Sequence, residues 1–429
     1  MTWPYAVLGQ LAAPALGLWL ARRARQGKED PARLDERRGA ASLPRPPGRL
    51  LWIHGASLGE ARSALPLLAR ILDDHPRAEA LVTTGTLSSA RMLAGALPPR
   101  ARHQFAPLDV PGWVARFLDH WRPDAALWVE SELWPNMLAA LPARGVPAAL
   151  VNARLSDASY ARWRRMAAAL RPPLGAFDRI LAQSDADAAR FAALGARQVA
   201  TPGNLKFDAP VLPAEDTALA ALRDALAGRP CWLAASTHAG EEEAAAEAHD
   251  VARAALPGLL TIVVPRHAPR GEAIAAMLAA RGHGVARRAL GTLPGAGTAF
   301  YVADTVGELG LFYRLAPVVF MGRSLARGGG QNPLEAAALG AALLAGPDTG
   351  NFRDIYERLG AADALRVVAD GASLGAALAT LLTDAAARSA LAARAGAVAA
   401  AGRGAVARCL GELAPLLAVL EGDAGDART

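Results

Sequence analysis

The chain has 429 residues, of which 52% are hydrophobic and 20% are charged, and its formal net charge is +6 at pH 7. This length exceeds one ordinary hydrophobic core, so it excludes a single small binding module and predicts two domains. The apolar content excludes a disordered chain. The positive charge suits nucleic acid, anionic lipid and phosphorylated substrates equally well, so charge alone does not choose among them.

Residues 3–20, WPYAVLGQLAAPALGLWL, form an uncharged apolar run at the N-terminus. Eighteen helical residues at about 1.5 Å each reach roughly 27 Å, close to the thickness of a hydrocarbon core. The run is followed by four basic residues, Arg22, Arg23, Arg25 and Lys28. A signal peptide carries its positive charges before the apolar run, so this order predicts an uncleaved anchor.

We therefore predict a membrane-anchor helix at residues 1–21 and a basic, proline-containing juxtamembrane linker at residues 22–49. Basic residues stay on the cytoplasmic side, so we expect the body of the protein in the cytoplasm, facing anionic lipids. An amphipathic or core-packed helix is the alternative, because Gln10 and Pro14 weaken a membrane span. Cys231 and Cys409 lie far apart without the spacing of metal ligands, which favours a reducing compartment and no metal.

From residue 50 onward, short apolar runs alternate with helical stretches rich in Ala, Leu and Arg, a pattern typical of parallel α/β sheets. The predicted strands of the first half are LLWIHG (50–55), ALVTTG (80–85), AALWVE (125–130), PAALVNA (147–153) and RILAQS (179–184). Those of the second half are CWLAAS (231–236), LLTIVVP (259–265), FYVADT (300–305), PVVFMG (317–322) and AALLAG (341–346).

Residues 201–216 are rich in Pro, Gly and Asp and predict the boundary between two domains. We place an N-terminal domain at residues 50–210 and a C-terminal domain at residues 211–429. Ligands of such sheets bind beyond the carboxyl ends of the strands, so two domains facing a central cleft suit a group transfer between two substrates.

Three polar motifs of the first domain lie at predicted strand ends or at the domain boundary. In HGASLGEA, Glu60 follows a strand and is placed to accept a proton from a hydroxyl, although Ser57 and Glu60 also have the spacing of a capping box. In WVESELWPN, Glu130 and Glu132 are close enough to shift each other's pKa, and Arg154 follows the next strand.

In GNLKFD, Asn204 precedes Lys206, which is one of only two lysines among 46 basic residues. The rarity of lysine suggests a place where a compact ammonium group matters, although a surface lysine is the ordinary alternative.

The second domain carries candidate anion-binding motifs. STHAGEE places Ser236, Thr237 and His238 before a helix, and VPRH places Arg266 and His267 at a strand end. Two further helix starts occur in DTVGELGLFY and GGGQNPLEAA, where glycines let the backbone approach a ligand. Helix capping explains the same spacings. Neither fragment matches a phosphate-binding loop of nucleotide hydrolases, and neither has the context of a dinucleotide fingerprint.

In this order, the motifs LWIHGASLGE, LWVESELWPN, VNARLS, AQSDADAARFAALGA, GNLKFD, STHAGEE, VPRH, DTVGELGLFY and GGGQNPLEAA resemble the bacterial Kdo transferases. This family transfers 3-deoxy-D-manno-octulosonic acid (Kdo) in lipopolysaccharide synthesis. The resemblance runs from the N-terminal anchor to about residue 360. It implies a GT-B glycosyltransferase at the inner membrane, with two Rossmann-like domains and an acceptor site in the first.

The resemblance implies transfer of Kdo from CMP-Kdo to a glucosamine hydroxyl of lipid IVA, with inversion at the anomeric centre. Glu60 would accept the proton, and Glu130 and Lys206 would stabilise the transition state. The residues implied in binding the CMP group are Pro265, Arg266, Val306, Gly307, Glu308, Asn332, Pro333, Leu334 and Glu335. No metal and no organic cofactor is expected, because CMP leaves well once its phosphate is neutralised.

Two departures from the family pattern stand out. Gln331 occupies the position where the family commonly has histidine, and His54-Gly55-Ala56 differs from the usual loop around the base. Another membrane-associated GT-B enzyme with a different nucleotide sugar, or an inactive glycolipid-binding homologue, remains an alternative. A nucleic-acid partner is disfavoured, because the arginines are dispersed without interleaved aromatic residues.

Overall fold

The computed structural model describes residues 2–165, 172–325 and 328–422. The chain forms two compact units, one made of Met1–Ala209 with Arg403–Thr429 and the other of Pro210–Gly402. The predicted C-terminal domain ran to residue 429, which is wrong for residues 403–422, while residues 423–429 lie outside the described residues. The reason is packing: Cys409, Leu413 and Leu417 of the C-terminal helix (Ala405–Leu417) are buried in the core of the first unit.

In the described residues, the first unit contains a parallel sheet of seven strands in the order β3-β2-β1-β4-β5-β6-β7. The strands are β1 (Leu50–His54), β2 (Glu79–Thr84), β3 (Ala101–Phe105), β4 (Ala125–Val129), β5 (Ala148–Ala153), β6 (Arg179–Ala182) and β7 (Val199–Ala200). Leu51 and Ile53 face one core and Leu50 and Trp52 the other. Burial on both faces explains why the central strands are continuous apolar runs.

Helices connect these strands and cover both faces of the sheet. They are α1 (Thr2–Arg25), α2 (Leu58–Asp74), α3 (Leu87–Leu93), α4 (Pro111–Trp121), α5 (Pro135–Ala140), α6 (Asp157–Arg164) and α7 (Asp185–Ala193), and short 3-10 helices form at Pro31–Arg38, Pro142–Arg144 and Leu205–Asp208. Ser57 starts α2 by accepting a hydrogen bond from the backbone N–H of Glu60.

The segment predicted as a linker folds onto the first unit. Its 3-10 helix Pro31–Arg38 covers the edge strand β3, where the carboxylate of Glu36 accepts a hydrogen bond from the backbone N–H of Phe105 at 2.7 Å. Arg33 donates to the backbone oxygen of His103 at 3.0 Å. An edge strand leaves unpaired backbone groups, and these side chains satisfy them. The prediction of a separate linker at residues 22–49 is therefore wrong for residues 31–38.

Helix α1 has two distinct faces. A stripe of partly or fully buried positions packs onto the first unit, namely Ala6, Gly9, Ala13, Leu16, Gly17 and Leu20. The backbone N–H of Gly112 donates to the side-chain oxygen of Gln10 at 3.1 Å and fixes the helix there. The opposite face exposes Leu8, Leu11 and Leu18 at 66%, 74% and 75%. Pro4–Arg25 is also the one helix of the described residues that is long and apolar enough to cross a membrane.

The described residues of the second unit form another seven-stranded parallel sheet, in the order β10-β11-β9-β8-β12-β13-β14. The strands are β8 (Cys231–Thr237), β9 (Leu260–Pro265), β10 (Val285–Arg287), β11 (Phe300–Val302), β12 (Val318–Met321), β13 (Ala342–Ala345) and β14 (Leu365–Val367). The helices are α8 (Asp216–Leu226), α9 (Glu241–Ala252), α10 (Gly271–Ala280), α11 (Leu309–Leu315), α12 (Leu334–Ala338), α13 (Arg353–Ala361), α14 (Gly371–Thr383) and α15 (Ala385–Ala401).

Candidate active site

Glu60 lies in the first turn of α2, directly beyond the carboxyl end of β1. One carboxylate oxygen accepts a hydrogen bond from the backbone N–H of Ala56 at 2.7 Å, and the other accepts one from the hydroxyl of Ser57 at 2.8 Å. These bonds resemble the capping box that the sequence allowed, so the alternative structural role is present. They also hold the carboxylate in one orientation, which a proton acceptor requires.

The surroundings of Glu60 give its carboxyl group an unusual acidity. Its pKa is raised to about 7, mainly by burial and then by the negative charge of Glu130, while the hydrogen bonds from Ser57 and Ala56 oppose the rise. A carboxyl group with a pKa near neutrality accepts a proton far more readily than an ordinary glutamate. The electrostatic effect of Glu130 also shows that the two acids share one site.

Glu130 follows β4 and forms an ion pair with Lys206. The Nζ atom of Lys206 lies 2.6 Å from Oε1 of Glu130, and each side chain is only 14% exposed. Glu130 has a positive φ of 64°, a conformation that costs a non-glycine residue free energy and that is found disproportionately at functional sites. The strain turns the chain sharply at the strand end, between β4 and α5.

A network of buried amides holds the turn that carries Lys206. Asn204 caps the 3-10 helix Leu205–Asp208 by accepting from the backbone N–H of Lys206 at 3.0 Å. Its amide nitrogen donates to the side-chain oxygen of Gln183 at 3.1 Å, and the side-chain oxygen of Asn152 accepts from the N–H of Leu205 at 2.9 Å. The three amide residues are almost fully buried. Lys206 therefore starts from a rigid backbone.

Three further residues singled out in the sequence lie at the carboxyl ends of strands β1, β4 and β5. Burial raises the pKa of Glu132, which lies two residues after Glu130 in the turn that follows β4. Arg154 follows β5, and β5 pairs with β4, so the strand order places it at the edge that carries Glu130. His54 at the end of β1 is buried, and its Nδ1 atom is hydrogen-bonded to the hydroxyl oxygen of Thr83 at 2.9 Å. Burial lowers the pKa of His54 to about 3.

In the second unit, one buried acid organises the loops at the carboxyl edge of the sheet. The carboxylate of Glu241 accepts hydrogen bonds from four backbone N–H groups, those of His238, Arg323, Ser324 and Leu325. It thereby joins the loop after β8 to the loop after β12. The neighbouring Glu242 is equally buried and binds Arg270 through both of its carboxylate oxygens, at 2.7 and 3.0 Å.

The predicted nucleotide-binding residues surround this edge. Pro265 ends β9, and exposed Arg266 follows it, with its N–H bonded to the backbone oxygen of Thr237 at 3.0 Å. Val306 is 88% exposed and Gly307 has a φ of +91° in the loop after β11. Because β11, β9, β8 and β12 are neighbours in the sheet, their loops lie side by side.

The carboxylate of Glu308 already forms an ion pair with an arginine of the same unit. Arg288 binds its two carboxylate oxygens at 2.6 and 3.1 Å, and Thr305 donates a further hydrogen bond. The hydrogen bond from Arg288 lowers the pKa of Glu308. This pair fixes the loop that exposes Val306 and Gly307, so the structure gives Glu308 a supporting position.

The glycine-rich loop before α12 is tightly folded. The backbone N–H of Gly328 donates to the carboxylate of Asp348 at 2.8 Å, and Gly329 has a φ of +85°. A Cβ atom at Gly329 would lie 2.6 Å from the side-chain carbon of Asn351, so only glycine fits there.

The residues after this loop start α12. Asn332 accepts a hydrogen bond from the N–H of Leu334 at 3.2 Å, Pro333 and Leu334 are buried, and Glu335 lies in the first turn of the helix. The side-chain nitrogen of Gln331 lies 3.4 Å from a ring nitrogen of His238. Gln331 thus joins the edge at which the nucleotide-binding residues were predicted.

Sequence reasoning missed the residues that support the site. Asn152, Gln183, Glu241 and Arg288 are the clearest examples, because each holds a loop through a hydrogen bond or an ion pair. A signal was present for the first two: both are amides at the ends of apolar strands, where a polar side chain stands out. Among the described residues, no group of three or more His, Cys, Asp and Glu is arranged to hold a metal ion.

The two Rossmann-like α/β units, with polar residues beyond the carboxyl ends of their strands, have the architecture of the GT-B fold. The fold is similar to that of UDP-GlcNAc 2-epimerase from Neisseria meningitidis bound to UDP-GlcNAc, with a TM-score of 0.58 and 14% identity. The match covers 85% of this chain and 100% of that chain. At this identity, the likeness shows the fold alone.

Residues 32–209 match the family model of 3-deoxy-D-manno-octulosonic-acid transferase. The chain is 39% identical over 420 residues to the 3-deoxy-D-manno-octulosonic acid transferase of Bordetella pertussis, covering 94% of this chain and 96% of that one. It is 34% identical to the enzyme of the same description from Haemophilus influenzae, covering 75% of each chain. The chain belongs to the Kdo transferase family and is a glycosyltransferase, which confirms the resemblance seen in its motifs.

Proposed function

We propose that this chain transfers Kdo from CMP-Kdo to a glucosamine hydroxyl of lipid IVA, with inversion of the anomeric centre and release of CMP, in lipopolysaccharide biosynthesis. The single observation that carries the mechanism is the site formed by Glu60, Glu130 and Lys206. In a member of the Kdo transferase family, it combines a partly buried carboxyl group, whose pKa is raised to about 7, with an ion pair of 2.6 Å.

Glu60 is the general base in this proposal. The acceptor hydroxyl attacks the anomeric carbon of Kdo, its proton passes to the carboxylate of Glu60, and the bond from that carbon to the phosphate oxygen breaks. The bonding electron pair leaves with CMP. A sugar hydroxyl is a poor nucleophile, so proton transfer to a positioned carboxylate contributes a large share of the acceleration.

Lys206 and Glu130 act on charge in the transition state. The anomeric carbon becomes electron-poor while negative charge builds on the leaving phosphate, so a fixed cation and a fixed anion can each stabilise one of these charges. Glu130 also keeps the pKa of Glu60 high. We infer that neither metal nor organic cofactor takes part, because the basic side chains of the protein supply the positive charge that the phosphate needs.

The loops after β9, β11 and β12 bind the CMP group in this proposal. Arg266 is exposed at a strand end, and a guanidinium binds phosphate through two hydrogen bonds. Val306, Gly307 and the segment Asn332–Glu335 offer backbone and apolar surface to the nucleotide. Glu308 keeps its partner Arg288 and positions the loop.

Helix α1 attaches the enzyme to the bacterial inner membrane, and the catalytic units face the cytoplasm. The support is the combination of an exposed leucine face, a docked small-residue face and basic residues in the last turn. An exposed apolar stripe of this size is unfavourable in water and favourable in lipid. Positive charges after an apolar helix stay on the cytoplasmic side.

A donor-selectivity assay tests the proposal. The full-length protein in detergent micelles is mixed with lipid IVA and either CMP-Kdo or UDP-GlcNAc, and release of CMP or UDP is followed. We expect release from CMP-Kdo alone. Glu60→Gln abolishes it, whereas Glu79→Gln, a change of the same kind at the amino end of β2, leaves it unchanged. Equal release from UDP-GlcNAc contradicts the donor assignment.

A further inference from the structure

The C-terminal unit contains a cavity at the edge of the sheet opposite the one that carries the predicted nucleotide-binding residues. It is bordered by Arg229 and Pro230, which precede β8, by Cys231, which begins it, and by Leu315 and Pro317, which precede β12. It therefore opens at the amino ends of these strands. Its volume is about 420 Å³, within the usual range for small-molecule sites. The residues predicted to bind CMP follow the carboxyl ends of the strands.

The charge of this cavity is entirely positive. Its lining includes four arginines and no acidic residue, and we call it the arginine pocket: Arg223, Arg229, Arg314 and Arg388. Within the described residues, none of these four arginines takes part in an ion pair. Like charges gathered without acids repel one another, and bound anions relieve that repulsion.

Backbone carbonyl groups hold three of these guanidinium groups without neutralising them. Arg229 donates to the carbonyl oxygens of three residues at 2.7 to 2.9 Å, and Nη1 of Arg314 donates to those of Leu212 and Gly310. Nη1 of Arg388 donates to Leu381 at 2.8 Å. In the part of the chain that the structure describes, Nε and Nη2 of Arg314 and Arg388 make no hydrogen bond and remain available as donors.

We propose that the arginine pocket is a binding site for a phosphate-bearing anion, separate from the site of sugar transfer. A phosphate group accepts several hydrogen bonds, and the planar donor pairs of arginine match its oxygens. The carbonyl bonds fix the guanidinium groups before the anion arrives, which reduces the entropy lost on binding. Leucine and proline side chains complete the walls, so the site suits an anion whose phosphate meets the arginines.

Titration calorimetry of sodium pyrophosphate into the full-length protein in detergent tests this inference. The side chain of Arg223 is exposed and makes no hydrogen bond within the described residues, and Arg388→Gln removes only bonds to the end of α14, so the double variant Arg223→Glu with Arg388→Gln is expected to fold. We expect this double variant to bind pyrophosphate at least tenfold more weakly. Arg253→Gln, which removes an exposed arginine paired with Asp250, serves as the matched control and keeps the affinity of the original protein.

Two further variables separate the outcomes. With saturating CMP present to fill the site proposed around Arg266, binding of pyrophosphate persists if the arginine pocket is the site. Binding that CMP abolishes, or that the double variant keeps, overturns the inference, as does absence of binding by the original protein. Thermal unfolding with and without pyrophosphate checks that each variant is folded and repeats the comparison. Micelles that contain phosphatidylglycerol displace pyrophosphate if the natural anion is a lipid headgroup, whereas a soluble phosphate compound is indicated by unchanged binding.

Discussion

Glu60 occupies a structural position at the start of α2 and is also the proposed base. Hydrogen bonds from the N–H of Ala56 and the hydroxyl of Ser57 orient its oxygens beside the start of α2, while burial, reinforced by the charge of Glu130, raises the pKa of the group to about 7. A cap alone is best served by an exposed, ionised acid at the positive end of the helix. The raised pKa of Glu60 therefore reflects its neighbourhood, and it suits proton transfer.

This acidity predicts the pH dependence of catalysis. A base acts when deprotonated, so a pKa near 7 means that kcat/KM rises about tenfold per unit below pH 7 and levels off above it. Initial rates at saturating CMP-Kdo and subsaturating lipid IVA give this profile of kcat/KM. A rate that stays level well below pH 6 would show that Glu60 is not the titrating base.

The ion pair between Lys206 and Glu130 predicts that arginine cannot replace Lys206. Lys206→Arg keeps the charge, but a planar guanidinium does not fit where an ammonium lies 2.6 Å from Glu130 in a mostly buried place, so we expect kcat to fall at least tenfold. Arg102→Lys exchanges the cation of the pair with Glu79 on β2 and provides the control, with unchanged activity. Original turnover in Lys206→Arg contradicts this role.

At the scale of elements, the turn that carries Lys206 is tied to the C-terminal helix. Asp208 accepts hydrogen bonds from the backbone N–H groups of Gly404 at 2.7 Å and Val406 at 2.6 Å, and Arg408 donates to the backbone oxygen of Pro202 at 2.6 Å. The return of the chain to the first unit thus helps to fix the turn that carries Lys206. A change at the end of the chain reaches the site through these bonds.

These hydrogen bonds predict different effects when two similar helix caps are removed. Asp208→Ala removes the acceptor at the start of the C-terminal helix, and Asp384→Ala removes the corresponding cap of α15. Each change is expected to lower the free energy of unfolding by about 1–2 kcal/mol in urea titrations. Only Asp208→Ala should also lower kcat. Equal kcat values in the two variants would contradict a functional link between the C-terminal helix and the turn that carries Lys206.

The sequence predicted the central strands but not the strands at the edges. The ten predicted runs correspond to strands of the two sheets, and the four unpredicted strands, β3, β7, β10 and β14, are the edges of those sheets. Central strands are buried on both faces and must be apolar, which makes them visible in a sequence. Edge strands are short and partly exposed, as in Val199–Ala200 and Leu365–Val367, so their pattern is weak.

Residues of the candidate site could be predicted only where a polar side chain follows a strand or where the residue type is rare in this sequence. Glu60, Glu130 and Lys206 were predicted in this way, and the structure pairs Lys206 with Glu130. The amide network of Asn152, Gln183 and Asn204 depends on which strand ends become neighbours, which is a property of the folded sheet. Docking of residues 31–38 and of the C-terminal helix escaped prediction for the same reason, since both depend on distant partners.

At the scale of the whole molecule, the proposed attachment to the membrane depends on α1. Removal of residues 1–21 is expected to move the protein from the membrane fraction to the soluble fraction while CMP binding remains. Because Leu20 is buried in the first unit, point variants provide a gentler test: Leu8→Gln, Leu11→Gln and Leu18→Gln together alter only the exposed face.

Sedimentation with vesicles of anionic lipid measures the effect. The triple variant should lose most of its vesicle binding, because three large apolar side chains no longer enter the lipid. A matched change of two exposed leucines elsewhere, Leu290→Gln with Leu293→Gln, leaves binding unchanged. Full binding by the triple variant would assign the membrane attachment to another surface.

The mass of the acceptor after reaction tests the central claim most directly. Full-length protein is incubated with CMP-Kdo and lipid IVA in detergent, and the lipid is examined by mass spectrometry beside a parallel reaction with Glu60→Gln. We predict that the lipid gains the mass of one or more Kdo residues with the original protein and none with the variant. Unchanged lipid from a folded protein that binds CMP-Kdo contradicts the proposed acceptor, and an equal gain with Glu60→Gln contradicts the proposed base.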